Sequence, residues 1–401
     1  MHRHGTGVWQ RMFPVKLIDL EAQQTRIRAQ IDRNIGCVLD HGQYIMGPEI
    51  KTLEKRLSAY VGVNHAVACA SGTDALLMGL MAYGVGPGDA IFTSPFTFIA
   101  NAEVIRILGA IPVFVDIDPQ TFNMDPPKLE AAIVALKRRD PMLHPLPRFN
   151  GTPRGIITVD LFGLPCDYDP IRAIAHQHQM FLIEDAAQSF GAEYRHARAG
   201  SLAHLGCTSF FPAKPLGCYG DGGMCFTDDD NLAQKLDSIR VHGKGSHKYD
   251  NVRIGINGRL DTLQAAVLLA KFDIFSEEVL LRQTVAQRYS EELCRGGHMS
   301  VPFIPDGRTS VWAQYSLLAR DGEHRAHLQN LLKQAGIPTA IYYPRPLHLQ
   351  SAFADLGYTQ GDFPVSEACS RRIFSIPMHP YLTVEDQRKV VATINSGQSA
   401  R

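Results

Sequence analysis

The chain has 401 residues, 45% hydrophobic and 20% charged, and its 40 basic side chains balance 40 acidic ones. That length supports a large core with a smaller second unit. The zero net charge argues against a nucleic-acid or membrane-surface protein, and no apolar run reaches the ~18 residues needed to span a bilayer.

Residues 1–12 lack the apolar centre of a secretory signal. The first thirteen residues are expected to form a disordered extension, with Met12 as an alternative start. Over 67–228, short apolar runs alternate with helical periodicity. Strands are predicted at 66–70, 90–93, 112–116, 155–160, 181–184, 207–211 and 223–227. Helices are predicted at 73–83, 100–108, 128–137 and 170–179. Such alternation predicts an α/β fold with a mostly parallel seven-stranded sheet between helical layers, and ligands beyond the strands' carboxyl ends. The Pro- and Arg-rich stretch 137–154 reads as a surface loop. A helical stretch from about Leu260 into Gly296 links to a smaller α+β unit. That unit is predicted to hold strands at 315–319 and 339–343, a helix at 326–335 and a closing helix after Thr383. The expected division is therefore 1–13 extension, 14–275 large domain and 276–401 small domain. The eight cysteines form no Cys-x-x-Cys pair, which fits a reduced cytoplasmic setting without disulfides or structural zinc. Sixteen histidines show no metal-ligand spacing, so no metal is expected.

Two runs carry the chemistry. In Thr208-Ser-Phe-Phe-Pro-Ala-Lys-Pro-Leu-Gly-Cys-Tyr-Gly-Asp-Gly-Gly223, a strand-like segment delivers Lys214 to a glycine-rich turn. In Phe181-Leu-Ile-Glu-Asp-Ala-Ala-Gln-Ser-Phe190, an apolar strand ends in adjacent carboxylates. Either residue alone reads as ordinary: Lys214 as a snorkelling lysine, Asp185 as a strand-end cap. Together they supply the Schiff-base amine and the pyridinium partner that pyridoxal 5'-phosphate (PLP) catalysis requires. Glu184 points to the opposite side of the strand and reads as a structural hydrogen-bond partner. Ser71-Gly-Thr-Asp74 follows a strand and opens a helix, a place suited to a phosphate.

These runs resemble the DegT-type family of PLP-dependent nucleotide-sugar aminotransferases. The matching blocks are Gly47-Pro-Glu, Ala70-Ser-Gly-Thr-Asp-Ala75, Pro95-Phe-Thr-Phe-Ile-Ala100, Glu184-Asp-Ala-Ala-Gln188, Ser209-Phe-Phe-Pro-Ala-Lys214 and Gly220-Asp-Gly-Gly223. Asn257-Gly-Arg-Leu-Asp-Thr-Leu-Gln-Ala-Ala266 and Tyr343-Pro-Arg-Pro-Leu-His348 complete the set. The resemblance implies a fold-type I aminotransferase with Lys214 and Asp185 catalytic. It implies Gly72, Thr73 and Ser209 at the phosphate, Phe98 over the ring and Gln188 at the phenolic oxygen. Asn257 is expected to reach the phosphate of a partner subunit in a homodimer, from the N-terminus of the helix beginning near Leu260. Phe96 is expected to face the same side as Phe98 if the segment is extended.

Glutamate is the expected donor. The run after Pro212 and the stretch 239–255 resemble enzymes that aminate UDP-2-acetamido-2-deoxy-3-oxo-D-glucuronate for lipopolysaccharide O-antigens. Arg240, His242, Lys244, His247, Lys248 and Arg253 form a basic cluster suited to that anionic substrate. Arg240, Arg259, Tyr343 and His348 are the candidate substrate residues. A dTDP-keto-sugar aminotransferase is the alternative within the class. A sugar dehydratase is disfavoured because the family's deoxygenases replace the lysine with histidine, and this chain keeps Lys214. A non-catalytic PLP-binding regulator is the alternative of another class, but no helix-turn-helix-like segment supports it.

Overall fold

The computed structural model describes residues 15–247, 249–295 and 299–398. The expected extension and Met12 lie outside the described residues, as does Lys248. Two helices that were not predicted precede the sheet. α1 (Leu20–His41) is capped by Asp19, whose carboxylate accepts from the Ala22 N–H, and α2 (Pro48–Val61) opens on a proline. Then follow β1 (His65–Cys69), α3 (Gly72–Ala82), β2 (Asp89–Thr93), α4 (Ala100–Ile107), β3 (Ile111–Phe114), α5 (Pro126–Arg138), β4 (Thr152–Val159), α6 (Tyr168–Gln177) and β5 (Phe181–Asp185). The short β6 (Glu193–Tyr194) and β7 (Ala197–Arg198) lead into β8 (Leu205–Ser209), β9 (Gly223–Thr227) and α7 (Asp230–Ile239).

The main sheet has the order β1-β9-β8-β5-β4-β2-β3. β3, β2, β4, β5 and β8 run parallel, and β9 pairs antiparallel with both β8 and β1. All seven predicted strands are present with boundaries shifted by a few residues. Alternate residues feed two cores. Ala90, Phe92, Ile156 and Leu182 pack against α5 and α6, while Ile91, Ile157 and Ile183 pack against α3, α4 and α7.

The long helix α8 (Thr262–Arg295) packs against α1 and α2 and carries the chain into a second core. That core forms around β11 (Tyr315–Leu318), α9 (Gly322–Gln334), β12 (Ile373–Ile376) and α11 (Val384–Gln398), whereas β10 (Arg308–Thr309) pairs with β6 in a small sheet with β7, and α10 (Pro364–Arg372) places Cys369 in a different apolar cluster. β11 and β12 pair antiparallel, and Tyr315, Leu317, Phe374 and Ile376 are buried with Val285, Tyr289, Leu328 and Ile394. The strand predicted at 339–343 does not form. Only Ala340 bridges Ser375, because Pro338, Pro344 and Pro346 remove the donors a longer ladder needs. The predicted surface loop is also tied down. His144 Nε2 hydrogen-bonds the Phe114 carbonyl at 2.8 Å, and the Arg148 N–H donates to the Leu356 carbonyl at 2.8 Å. Among the described residues, no helix is long and apolar enough to cross a membrane.

Candidate active site

β5 ends with Glu184 and Asp185 on opposite sides of the sheet. Glu184 is fully buried and accepts from the Gly200 N–H at 2.6 Å and the Leu202 N–H at 2.8 Å. Burial pushes its pKa well above the usual range, and neighbouring Asp160 adds to the rise. It is the structural partner expected from the sequence.

Asp185 stands at the carboxyl end of the strand. Its Oδ2 accepts from Asn101 Nδ2 at 2.8 Å and its Oδ1 from the Ala187 N–H at 3.0 Å. Burial raises its pKa, while these two donors and the Lys214 charge pull it back. Asn101 was not anticipated. The signal was a buried Asn in the first turn of α4, one residue beyond the Pro95–Ala100 block.

Lys214 lies in the turn after β8, its N–H donating to the Phe211 carbonyl at 2.9 Å. The turn closes through Phe210 N–H to Gly222 O and Cys218 N–H to Phe210 O, both 2.7 Å. A Cβ on Gly217 would sit 2.6 Å from the carbonyls of Phe211 and Pro212, so only glycine fits there. The Lys214 amine makes no hydrogen bond or ion pair among the described residues. Burial lowers its pKa, and the Asp185 charge partly opposes the shift. Each group therefore feels the other, and the amine is left available as a nucleophile.

Ser71 caps α3, its Oγ accepting from the Asp74 N–H at 3.0 Å. A Cβ on Gly72 would meet the Ser209 Cβ at 2.6 Å, and one on Gly223 the Ser71 carbonyl at 2.3 Å. The start of α3, Thr73 in its first turn, the end of β8 and the Gly222–Gly223 strand entry thus converge. The free N–H groups at the helix start form a cradle for an anion.

Gln188 is held on both sides. Its Oε1 accepts from the Phe162 N–H at 2.8 Å, and its Nε2 donates to the Tyr343 hydroxyl at 3.3 Å. Burial raises the Tyr343 pKa. Phe98 is 54% exposed, whereas Phe96 is 1% exposed and packs against Phe122 and Tyr343. The two do not share a face, because bends rather than a strand carry this segment.

Arg259 and Asn257 line a cavity of about 410 Å³ with Ala70, Gly220, Asp221 and Gln264, and Arg259 Nε is buried without a hydrogen-bond partner among the described residues. Asn257 bridges Val241 and lies outside α8, which starts at Thr262, so it is no cap of that helix. Its neighbour Gly258 accepts from the Ala70 N–H at 3.0 Å, one residue from the Ser71 turn.

Two expected substrate residues turn inward instead. Arg240 is buried, and its guanidinium is paired with Glu54 at 2.5 Å, Asp237 at 2.5 Å and the Ala68 carbonyl at 2.8 Å. It locks α7 to β1 and α2, leaving the rest of the basic cluster, His242, Lys244, His247 and Arg253, near the surface. His348 is buried against Phe363 with its Nε2 3.1 Å from Glu367, and burial lowers its pKa.

A half-buried unpaired lysine facing a buried carboxylate at the end of a parallel sheet, beside an anion cradle, defines an aminotransferase of the fold-type I class. Residues 25–395 match the DegT/DnrJ/EryC1/StrS aminotransferase family, and the chain belongs to it. It is 47% identical over 384 residues to UDP-2-acetamido-2-deoxy-3-oxo-D-glucuronate aminotransferase of Pseudomonas aeruginosa, covering 95% of this chain and 100% of that one. A pleiotropic regulatory protein of Geobacillus stearothermophilus is 41% identical, covering 95% of this chain and 97% of its own. The crystal structure of a DegT/DnrJ/EryC1/StrS aminotransferase from Brucella abortus superimposes with a TM-score of 0.90 at 48% identity, covering 96% of this chain and 99% of that one.

Proposed function

We propose that the protein is a PLP-dependent transaminase that moves the amino group of glutamate onto UDP-2-acetamido-2-deoxy-3-oxo-D-glucuronate, in cytoplasmic synthesis of a bacterial surface polysaccharide. The observation that carries this reading is the Lys214 amine, without a hydrogen bond or ion pair among the described residues, in the charge field of buried Asp185 at the carboxyl end of β5 and beside the Gly72–Ser209 cradle. The Pseudomonas relative's name, matched over its full length, supports the sugar.

The residues present fit the cofactor. The close approach of Gly72 to Ser209 leaves a backbone-lined cradle that a side chain would fill. Gly72, Thr73 and Ser209 hold the phosphate there, with the α3 dipole behind them. Asp185, fixed in aim by Asn101 and Ala187, would hold a proton at the ring nitrogen. Phe98 would pack against the cofactor ring, and Gln188, braced by the Phe162 N–H and the Tyr343 hydroxyl, would hydrogen-bond its phenolic oxygen. Lys214 Nζ serves as nucleophile and proton carrier, since its depressed pKa raises its neutral fraction. Bound, the cofactor supplies the electron-withdrawing ring through which an amino group and a proton are exchanged. Arg259 and Tyr343 are the substrate-side residues. Asn257 completes the phosphate site of the partner in a homodimer, and the division between large (14–275) and small (276–401) domains falls within α8.

The test is a panel of UDP- and dTDP-linked keto-sugars with glutamate as donor. The purified protein should be yellow, lose its visible band with glutamate and regain it with the UDP-3-keto-uronate. Recovery only with dTDP sugars would move the assignment to deoxysugar synthesis. A coloured protein inert to every pair would favour a regulator, the reading the Geobacillus relative's name favours.

A further inference from the structure

α8 carries a lysine that the site description leaves unused. Lys271 is 1% exposed, its Nζ has no hydrogen-bond partner among the described residues, and it stands 4.4 Å from the centre of the Tyr219 ring. Seven residues earlier, on the same helical face, Gln264 brackets the backbone of that tyrosine. Gln264 Oε1 accepts from the Tyr219 N–H at 2.9 Å, and its Nε2 donates to the Tyr219 carbonyl at 3.3 Å. Tyr219 lies between Lys214 and Gly223, in the loop whose one end bears the reactive amine and whose other end abuts Ser71 and Gly72. An apolar residue would fill the Lys271 site at lower cost, because a buried ammonium without a hydrogen bond is expensive. What the ammonium gains is the face of an aromatic ring.

We propose that Lys271 is a positioning residue: with Gln264 it grips Tyr219 and so fixes the loop that aims Lys214 and closes the phosphate cradle. Glu278 one heptad on, Cys218 in the loop and Arg28 of α1 are the other titratable groups acting on this pair, and Arg282 shares the Glu278 charge. The grip rests on the proposed function only for its kinetic consequence.

Lys271→Met and Lys271→Arg separate this role from plain packing. The Met variant removes a buried charge, so its Tm should rise by about 2–4 °C. At the same time, amide exchange across 214–222 should accelerate, and the glutamate half-reaction should slow by about ten- to a hundredfold in kcat with little change in KM. The Arg variant, which keeps a cation over the ring, should recover most of the rate. A Met variant whose exchange across 214–222 is unchanged overturns the grip, whatever the protein's activity. So does a variant that exchanges faster yet reacts at the wild-type rate, or one in which Tm and rate fall together. If wild type itself ignores glutamate while the exchange responds as expected, the proposed function fails and the grip stands.

Discussion

At the scale of single residues, the site is a balance of burial against donated hydrogen bonds. The Asp185 carboxyl is buried enough to be pushed toward its neutral form, yet the role proposed for it requires charge. The two donors that restore that charge, Asn101 Nδ2 and the Ala187 N–H, are thus as much part of the chemistry as the carboxylate. Asp185→Asn should leave cofactor binding largely intact and slow the glutamate half-reaction by more than about a hundredfold, measured by stopped-flow absorbance. A variant within a few-fold of wild type would make the aspartate structural. Asn101→Ala removes a donor that favours the charged form, so the carboxyl pKa should move further up. The acidic limb of the pH–rate profile should therefore shift to higher pH, and an unmoved limb would show that Asn101 only packs. The difference between the two residues is also a difference in legibility. Asp185 stood in an ordered motif, while Asn101 is 84 positions away and became a partner only when β2 and β5 entered one sheet.

At the scale of elements, strand alternation turns two adjacent carboxylates to different work. Asp185 faces the site, and Glu184 clamps the turn after β7 through the N–H groups of Gly200 and Leu202. Removing the acceptors leaves two buried donors unpaired, so Glu184→Ala should cost roughly 3 kcal/mol or more of unfolding free energy. Glu184→Gln, with one oxygen kept, should cost less. Equal, small losses in urea titrations would mean water replaces the clamp.

The grip of α8 has a pH signature as well. Burial lowers the Lys271 pKa to about 8 from 10.5. Between those values the unfolded chain binds more protons than the folded one, so this group makes stability rise with pH through that window. The gain is on the order of 3 kcal/mol. Wild type should show that slope relative to Lys271→Met, and parallel curves would mean the lysine titrates normally. The elements readable from sequence were those whose periodicity was complete, above all the seven sheet strands. The strand expected at 339–343 has the β-branched and aromatic residues of a strand, but Pro338 and Pro344 close it on both sides and leave no room for a longer ladder. α1 and α2 went unread because most of the apolar partners of their buried faces are distant in sequence, α1 against α8 and α2 against α8 and the β8–β9 segment as well as β1.

At the scale of the whole molecule, the chain leaves apolar surface beside its site. Tyr44, Ile45, Phe98, Phe211, Val252 and Ile254 are exposed, and Ile45 also lines the cavity of Asn257 and Arg259. Exposed apolar side chains gathered near a functional cleft are what a subunit interface covers. The place of Ile45 beside Asn257 favours the shared active site proposed above. The sequence pointed to Asn257 by resemblance but misplaced it at a helix start, and its bridge to Val241 holds it on an irregular segment instead. If that segment reaches into the partner, a cofactor held by two chains also stabilises their association, and dissociation weakens cofactor binding. Mixing Lys214→Ala with Asn257→Ala subunits tests this directly. Each homodimer carries two defective sites, whereas the heterodimer holds one site with both defects and one with neither. Activity should therefore recover to about half that of a wild-type dimer when exchange is driven to heterodimer. Confirmed heterodimers that stay inactive would place Asn257 in the site of its own subunit.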